Sequence, residues 1–149
     1  MLIMIRIVAT VFLHLAGIIS FAWSIDQRVN RINMPEELAV KRSKFAGDWK
    51  YLTYINMWLQ LIFFIIAFLA NFVKSLRGVR DLLFASAAFP IGMFVGVMFW
   101  SLWAVDRELI FPKALDQVFS LTLNHCMHTT VIPFQIGQLL LVKHTFPSR

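Results

Sequence analysis

A long uncharged run near the C-terminal end constrains this chain more than any other feature. From Gln117 to Val142 there is no Lys, Arg, Asp or Glu. About 20 apolar residues in a helix, rising ~1.5 Å each, cross the ~30 Å hydrocarbon core of a bilayer. The run is long enough to do so, yet it holds Asn124, His125, His128, Gln135, Gln138 and several hydroxyls. Polar groups at membrane depth are costly and face a protein interior or a wet cavity. At ~100° per residue, Asn124, His128, Gln135 and Gln138 fall within an arc of roughly 80°. His125 points ~60° away from His128, which makes His128 the better candidate for shared chemistry. The bland alternative is that the stripe is hydrogen-bonding glue between helices.

Three more apolar runs precede this one, and their boundaries predict spans at about 4–25, 48–73, 82–105 and 117–142. Only 15% of the 149 residues are charged, against ~25% in soluble domains. The expected fold is therefore all-α: one transmembrane domain over residues 1–149, a multi-pass bundle of four spans. The net charge of +6 does not indicate nucleic acid, because the basic residues sit in short segments between apolar runs. There they meet lipid headgroups, and the lipid bilayer is the partner. The chain is expected to be integral to the endoplasmic reticulum and its endomembranes or to the plasma membrane. Cys126 is the sole cysteine, so no internal disulfide can form and the thiol reads as inert packing.

The connection 26–48 reads as a solvated segment on the headgroups, with a short helix starting at Asn33-Met34-Pro35-Glu36-Glu37. The second span carries its own stripe: Trp49, Thr53, Asn56 and Gln60 lie within ~60°. Its hydroxyl is Thr53, for which the bland reading is a bond to its own backbone one turn back. In the third span Pro90 should kink the helix, and Gly92-x-x-x-Gly96 reads as close packing inside the bundle. In the fourth, Pro133 should leave the Thr129 carbonyl without its usual donor, opening a small polar pocket. His14 reads as a packing or hydrogen-bonding histidine.

With four spans, the second and fourth start from the same side. If they begin near 45–47 and 119–121, Thr53 lies roughly 9–12 Å and His128 roughly 10–14 Å along their helices. A hydroxyl and an imidazole at one depth suit nucleophile and general base. Asn124 would then orient the imidazole or donate to an oxyanion, with Asn56 and Gln60 as weaker donors. A metal held by His125 and His128 would need a third ligand from His14, Asp106, Glu108 or Asp116, and no dense carboxylate set exists. Neither that site nor a haem between His14 and His128 is expected, and no glycine-rich phosphate loop is present, so the expected cofactor and metal content is none.

Four motifs carry a resemblance: Phe45-x-Gly47-x-Trp49-Lys50-Tyr51-Leu52-Thr53, Phe89-Pro90-x-Gly92-x-Phe94, Asp106-Arg107-Glu108-x-Ile110-x-Pro112-Lys113, and Asn124-His125-x-Met127-His128-Thr129-Thr130-x-x-Pro133. In this order, over nearly the whole chain, they resemble the androgen-induced family that includes the androgen-dependent TFPI-regulating proteins. The resemblance implies a membrane hydrolase of fatty acid esters of hydroxy fatty acids, acting on a long-chain lipid ester. It also implies a threonine nucleophile at Thr53 and a histidine partner at His128. Family members continue into two further spans, so the resemblance implies a C-terminally truncated form, whether fragment, splice product or short paralogue. The alternative function is a non-catalytic membrane protein acting through a partner chain, in a homo- or hetero-oligomer.

Overall fold

The computed structural model describes residues 1–33 and 36–145. Every regular element among them is helical. Helix α1 (Leu2–Asp26) runs on through a π-helical turn, Gln27–Arg31. Helix α2 (Glu36–Ser43) and a 3₁₀ turn, Gly47–Lys50, lead into α3 (Leu52–Leu69). Helix α4 (Leu76–Leu83) joins α5 (Phe89–Ile110) through a second π-helical turn, Phe84–Ala88. After a 3₁₀ turn, Lys113–Gln117, come α6 (Leu121–His128) and α7 (Val131–Leu141). The helix start expected at Asn33 includes Met34 and Pro35, which lie outside the described residues.

Among the described residues, three segments are long and apolar enough to cross a membrane: Leu2–Arg31, Leu52–Leu69 and Leu76–Ile110. The uncharged run is instead two helices of 8 and 11 residues. They part at Thr129-Thr130, just before Pro133. The Thr129 carbonyl is not orphaned as expected. It accepts the Ile132 amide at 3.2 Å, a tighter turn that restores the bond the proline removes.

The second run also begins later than expected. Phe45, Ala46 and Gly47 all have positive φ (38°, 58° and 56°), a left-handed stretch that no α-helix passes through. Trp49 therefore falls outside α3 and is half-exposed, packed edge-on against Tyr54, while Thr53 is only the second residue of the helix. Pro90 sits at the first positions of α5. The backbone ladder before it slips to i→i+5, with the Phe89 N–H donating to Phe84 O, and so absorbs the missing donor.

Contacts fix the topology. Arg28 reaches Asp48, Phe21 stacks on Phe64, and His14 meets Asn71, so α1 and α3 run antiparallel. Thr53 meets His128 and Gln60 meets Gln135, both 75 residues apart, so α3 runs parallel to α6 and α7. Phe rings build the apolar core, with Phe21, Phe63 and Phe64 fully buried. The other buried residues are unusually polar: His14, Asn56, Gln60, Asn124, His128, Gln135 and Gln138 all face inward, while Ile3, Phe12, Ile19 and Ile62 face outward. That arrangement suits a lipid solvent, where apolar side chains lose nothing by exposure and polar groups need internal partners.

Candidate active site

The two stripes meet face to face. At one level, Gln135 Nε2–H donates to Gln60 Oε1, and Gln60 Nε2 donates to Asn56 Oδ1 at 3.0 Å and to the Ala88 carbonyl at 2.8 Å. Farther along, His14 Nε2–H donates to Gln138 Oε1 at 2.8 Å, and Asn71 Nδ2–H donates to His14 Nδ1 at 2.9 Å. These are the interhelical bonds the glue reading expects.

The third level is different, because it opens on a cavity. His128, at the end of α6, faces the carbonyl oxygens of Asn124 through Nδ1: the main-chain oxygen at 3.0 Å and the side-chain Oδ1 at 2.9 Å. Two acceptors require that Nδ1 carry the proton. Nε2 then keeps its lone pair, and the Thr53 hydroxyl lies 3.3 Å from it, in place to donate. The imidazole plane is held flat against the Phe99 ring, 3.5 Å between centroids and 10° between planes. A hydroxyl on the base nitrogen of an oriented imidazole is the arrangement that activates a nucleophile.

Thr53, His128 and Phe99 line a cavity of ≈ 520 Å³, a size that holds a ligand of a few hundred daltons. Tyr54, Met57 and Met127 make an apolar wall, and Leu109, Pro112 and Ala114 form an exposed rim. The rim is set by Asp106, whose Oδ1 accepts the Glu108 N–H at 2.9 Å and caps a fresh turn after a break in α5. Arg107 then lies over Trp103 and pairs with Asp116 at 2.6 Å.

The remaining predicted residues take defined places. Asn124 presents oxygen, not its amide N–H, to the imidazole, so its role is orientation. Gln60 has committed both amide hydrogens, which removes it as an oxyanion donor. Asn56 is fully buried one turn below Thr53, with its Nδ2 unbonded among the described residues, and it does not line the cavity. A second hydroxyl–imidazole pair exists, Thr129 Oγ1 with His125 Nδ1 at 2.9 Å, but it packs on Trp100 away from the cavity.

Phe99 and Arg28 are among the lining residues that were not anticipated. Phe99 lies on the same face of α5 as Gly92 and Gly96, the face that approaches α7 and the stripe, so the glycine pair could have pointed to it. Arg28 was read as part of a solvated connector, but it is buried and paired with Asp48 at 2.8 Å.

Fold and site together define an all-α integral membrane protein with an oriented hydroxyl–imidazole pair in an apolar cavity. The chain belongs to the FAR-17a/AIG1-like protein family, whose model matches residues 9–149. It is 40% identical over 123 residues to the androgen-dependent TFPI-regulating protein of Rattus norvegicus, covering 76% of this chain and 54% of that one. It is 36% identical over 153 residues to the androgen-induced gene 1 protein of Homo sapiens, covering 92% and 62%. A membrane protein of Schizosaccharomyces pombe is 24% identical over 122 residues, covering 81% and 52%. The chain thus spans roughly half to three-fifths of the length of the curated relatives it matches. No solved structure matches it at a significant level.

Proposed function

We propose that this chain is a membrane hydrolase of fatty acid esters of hydroxy fatty acids, with Thr53 as nucleophile and His128 as general base. It acts as one transmembrane domain of four passes, α6 and α7 making the fourth between them. The observation that carries the reading is the Thr53 hydroxyl set on His128 Nε2 while Asn124 holds Nδ1.

In this mechanism the Thr53 oxygen attacks the ester carbonyl and His128 Nε2 takes its proton. The imidazolium that forms donates from Nδ1 to two oxygens of Asn124, which stabilises it without a carboxylate. The tetrahedral intermediate collapses, the hydroxy acid leaves with the proton from Nε2, and the acyl group stays on Thr53. Water, deprotonated by the same nitrogen, then releases the acid. Thr53 lies in the first turn of α3, where Tyr51 O takes the Tyr54 and Ile55 amides, which leaves the Leu52 and Thr53 amides to serve as donors for the oxyanion. The 3.3 Å separation is the loose geometry typical before substrate tightens a catalytic bond.

The test is labelling of the membrane-inserted chain by a fluorophosphonate probe. Labelling is expected in the wild type and lost in both Thr53→Ala and His128→Ala, with insertion unchanged. A stable, inserted chain that takes no label would overturn the reading and favour a non-catalytic subunit acting through a partner chain.

A further inference from the structure

Thr129 and His125 make a hydroxyl–imidazole pair that the proposed chemistry does not use. Its hydrogen bonds run in one direction. The Trp100 indole N–H can only donate, and it donates to Thr129 Oγ1 at 3.1 Å. The hydroxyl hydrogen then goes to His125 Nδ1 at 2.9 Å, the acceptor set before it among the described residues. A neutral imidazole whose Nδ1 accepts carries its proton on Nε2. His125 Nε2–H is therefore a fixed donor, and it meets no acceptor among the described residues. The ring is half-buried, so the donor is reached from outside.

That outside is the lipid-facing side of the bundle. Leu121, one turn before His125, is exposed, as are Val97 and Ala104, one turn either side of Trp100 on α5. An unmet donor on such a face is costly. Its depth is also defined. Arg107 pairs with Asp116 at 2.6 Å, which marks the headgroup level at this end of the bundle. Trp100 lies seven residues before Arg107, ~10 Å along α5, and His125 lies ~6 Å into α6. A headgroup layer is about 5–8 Å thick. The imidazole thus sits where the ester groups of a bilayer give way to acyl chains, the level at which tryptophans anchor. Trp100 stacks on His125, 5.4 Å between centroids, and meets Trp103 at 5.6 Å, an aromatic shelf beside the donor.

We propose that Trp100, His125 and Thr129 form a binding site for one membrane glycerolipid. Its ester carbonyl accepts the His125 Nε2–H, and its acyl chain lies along the exposed face of α5 and α6. A neutral donor suits an uncharged carbonyl, and the phosphate of the same lipid stays at the level of Arg107. The site lies away from the cavity and requires no turnover.

The experiment uses the full chain purified in detergent and a phosphatidylcholine with a diazirine near the carbonyl of one acyl chain. Crosslinking is competed with dioleoyl phosphatidylcholine or with its dialkyl ether counterpart, which lacks the two carbonyls. The crosslink should map by mass spectrometry to the α5–α6 face. The ester lipid should compete about fivefold better, the contribution of one neutral hydrogen bond. His125→Phe keeps a ring on Trp100 without the donor and should erase that preference. His125→Leu makes the same test with a smaller side chain if the phenyl ring prevents folding. His125→Gln keeps an amide donor and should retain part of the preference, a rescue that a purely structural histidine would not show.

Equal competition by ester and ether lipids in the wild type overturns the site. So does a preference kept in folded His125→Phe or His125→Leu. A crosslink that maps elsewhere, is displaced better by cholesterol, or is blocked because two chains pair through this face also overturns it. None of these readouts uses fluorophosphonate labelling, so the lipid site and the hydrolase reading stand or fall separately.

Discussion

At the scale of single residues, the imidazole of His128 is held by an asparagine where a carboxylate could stand. Nδ1–H is shared between the main-chain and side-chain oxygens of Asn124. Removing the side chain leaves the main-chain acceptor in place, so the tautomer survives with less restraint. Asn124→Ala should therefore lower kcat/KM for ester hydrolysis about tenfold, the equivalent of one lost hydrogen bond of ~1.4 kcal/mol. His128→Ala should abolish turnover. Steady-state rates on a lipid ester of a hydroxy fatty acid check both, and a loss in Asn124→Ala as complete as in His128→Ala would mean the main-chain oxygen orients nothing. Thr53 and His128 were legible in the sequence because helical periodicity groups polar residues in an otherwise uncharged run. Arg28 was not, because its partner lies 20 residues away across two turns that carry no periodicity.

Helices carry the next scale, and here small residues decide how closely the polar faces approach. A Cβ on Gly92 would stand 2.7 Å from Gln60 Nε2 and 2.9 Å from Val131 Cγ2. One on Gly96 would stand 2.7 Å from Ile132 Cγ1 and 3.0 Å from the His128 carbonyl. Neither neighbour can yield easily, since Gln60 is held by two donated bonds and the His128 carbonyl is backbone. Gly92→Ala and Gly96→Ala should each destabilise the bundle by about 1–3 kcal/mol, as overpacked cores do. Gly78 in α4 has nothing within 4 Å of its Cβ position. Gly78→Ala should be neutral or stabilising by up to ~1 kcal/mol. Thermal unfolding in detergent distinguishes the three. The packing role of the glycine pair was readable from spacing alone. Helix ends were not: the left-handed run at Phe45–Gly47 needs φ values that only Gly47 advertises, and the break at Thr129-Thr130 is hidden inside an unbroken apolar composition.

The molecule as a whole is a polar-cored bundle with different business at its two ends. Arg28, Thr53 and His128 mark the cavity end. Arg6 marks the other, donating to the Leu141 carbonyl at 2.7 Å, and the two arginines are separated by ~33 Å of helix. Beside Arg6, a buried ionic clasp fastens the end of α7 to α4. Asp81 takes Arg80 at 2.8 Å, His144 at 2.8 Å and both the amide and hydroxyl of Thr145, while Arg80 donates to the Lys143 carbonyl at 3.2 Å. His144 also stacks on Phe84 in the π-helical turn, 4.4 Å between centroids. With side chains 6% and 2% exposed, this pair contributes through completeness, because a lone buried guanidinium is far costlier than a paired one. Asp81→Asn should therefore lower unfolding stability by about 3–5 kcal/mol. At low temperature, where the variant stays folded, fluorophosphonate labelling of Thr53 should persist, since no polar chain of contacts links Asp81 to the cavity among the described residues. Loss of labelling in a folded Asp81→Asn chain would instead mean that the clasp sets the register of α7, and through it the 75-residue offset that brings His128 to Thr53 and Gln135 to Gln60.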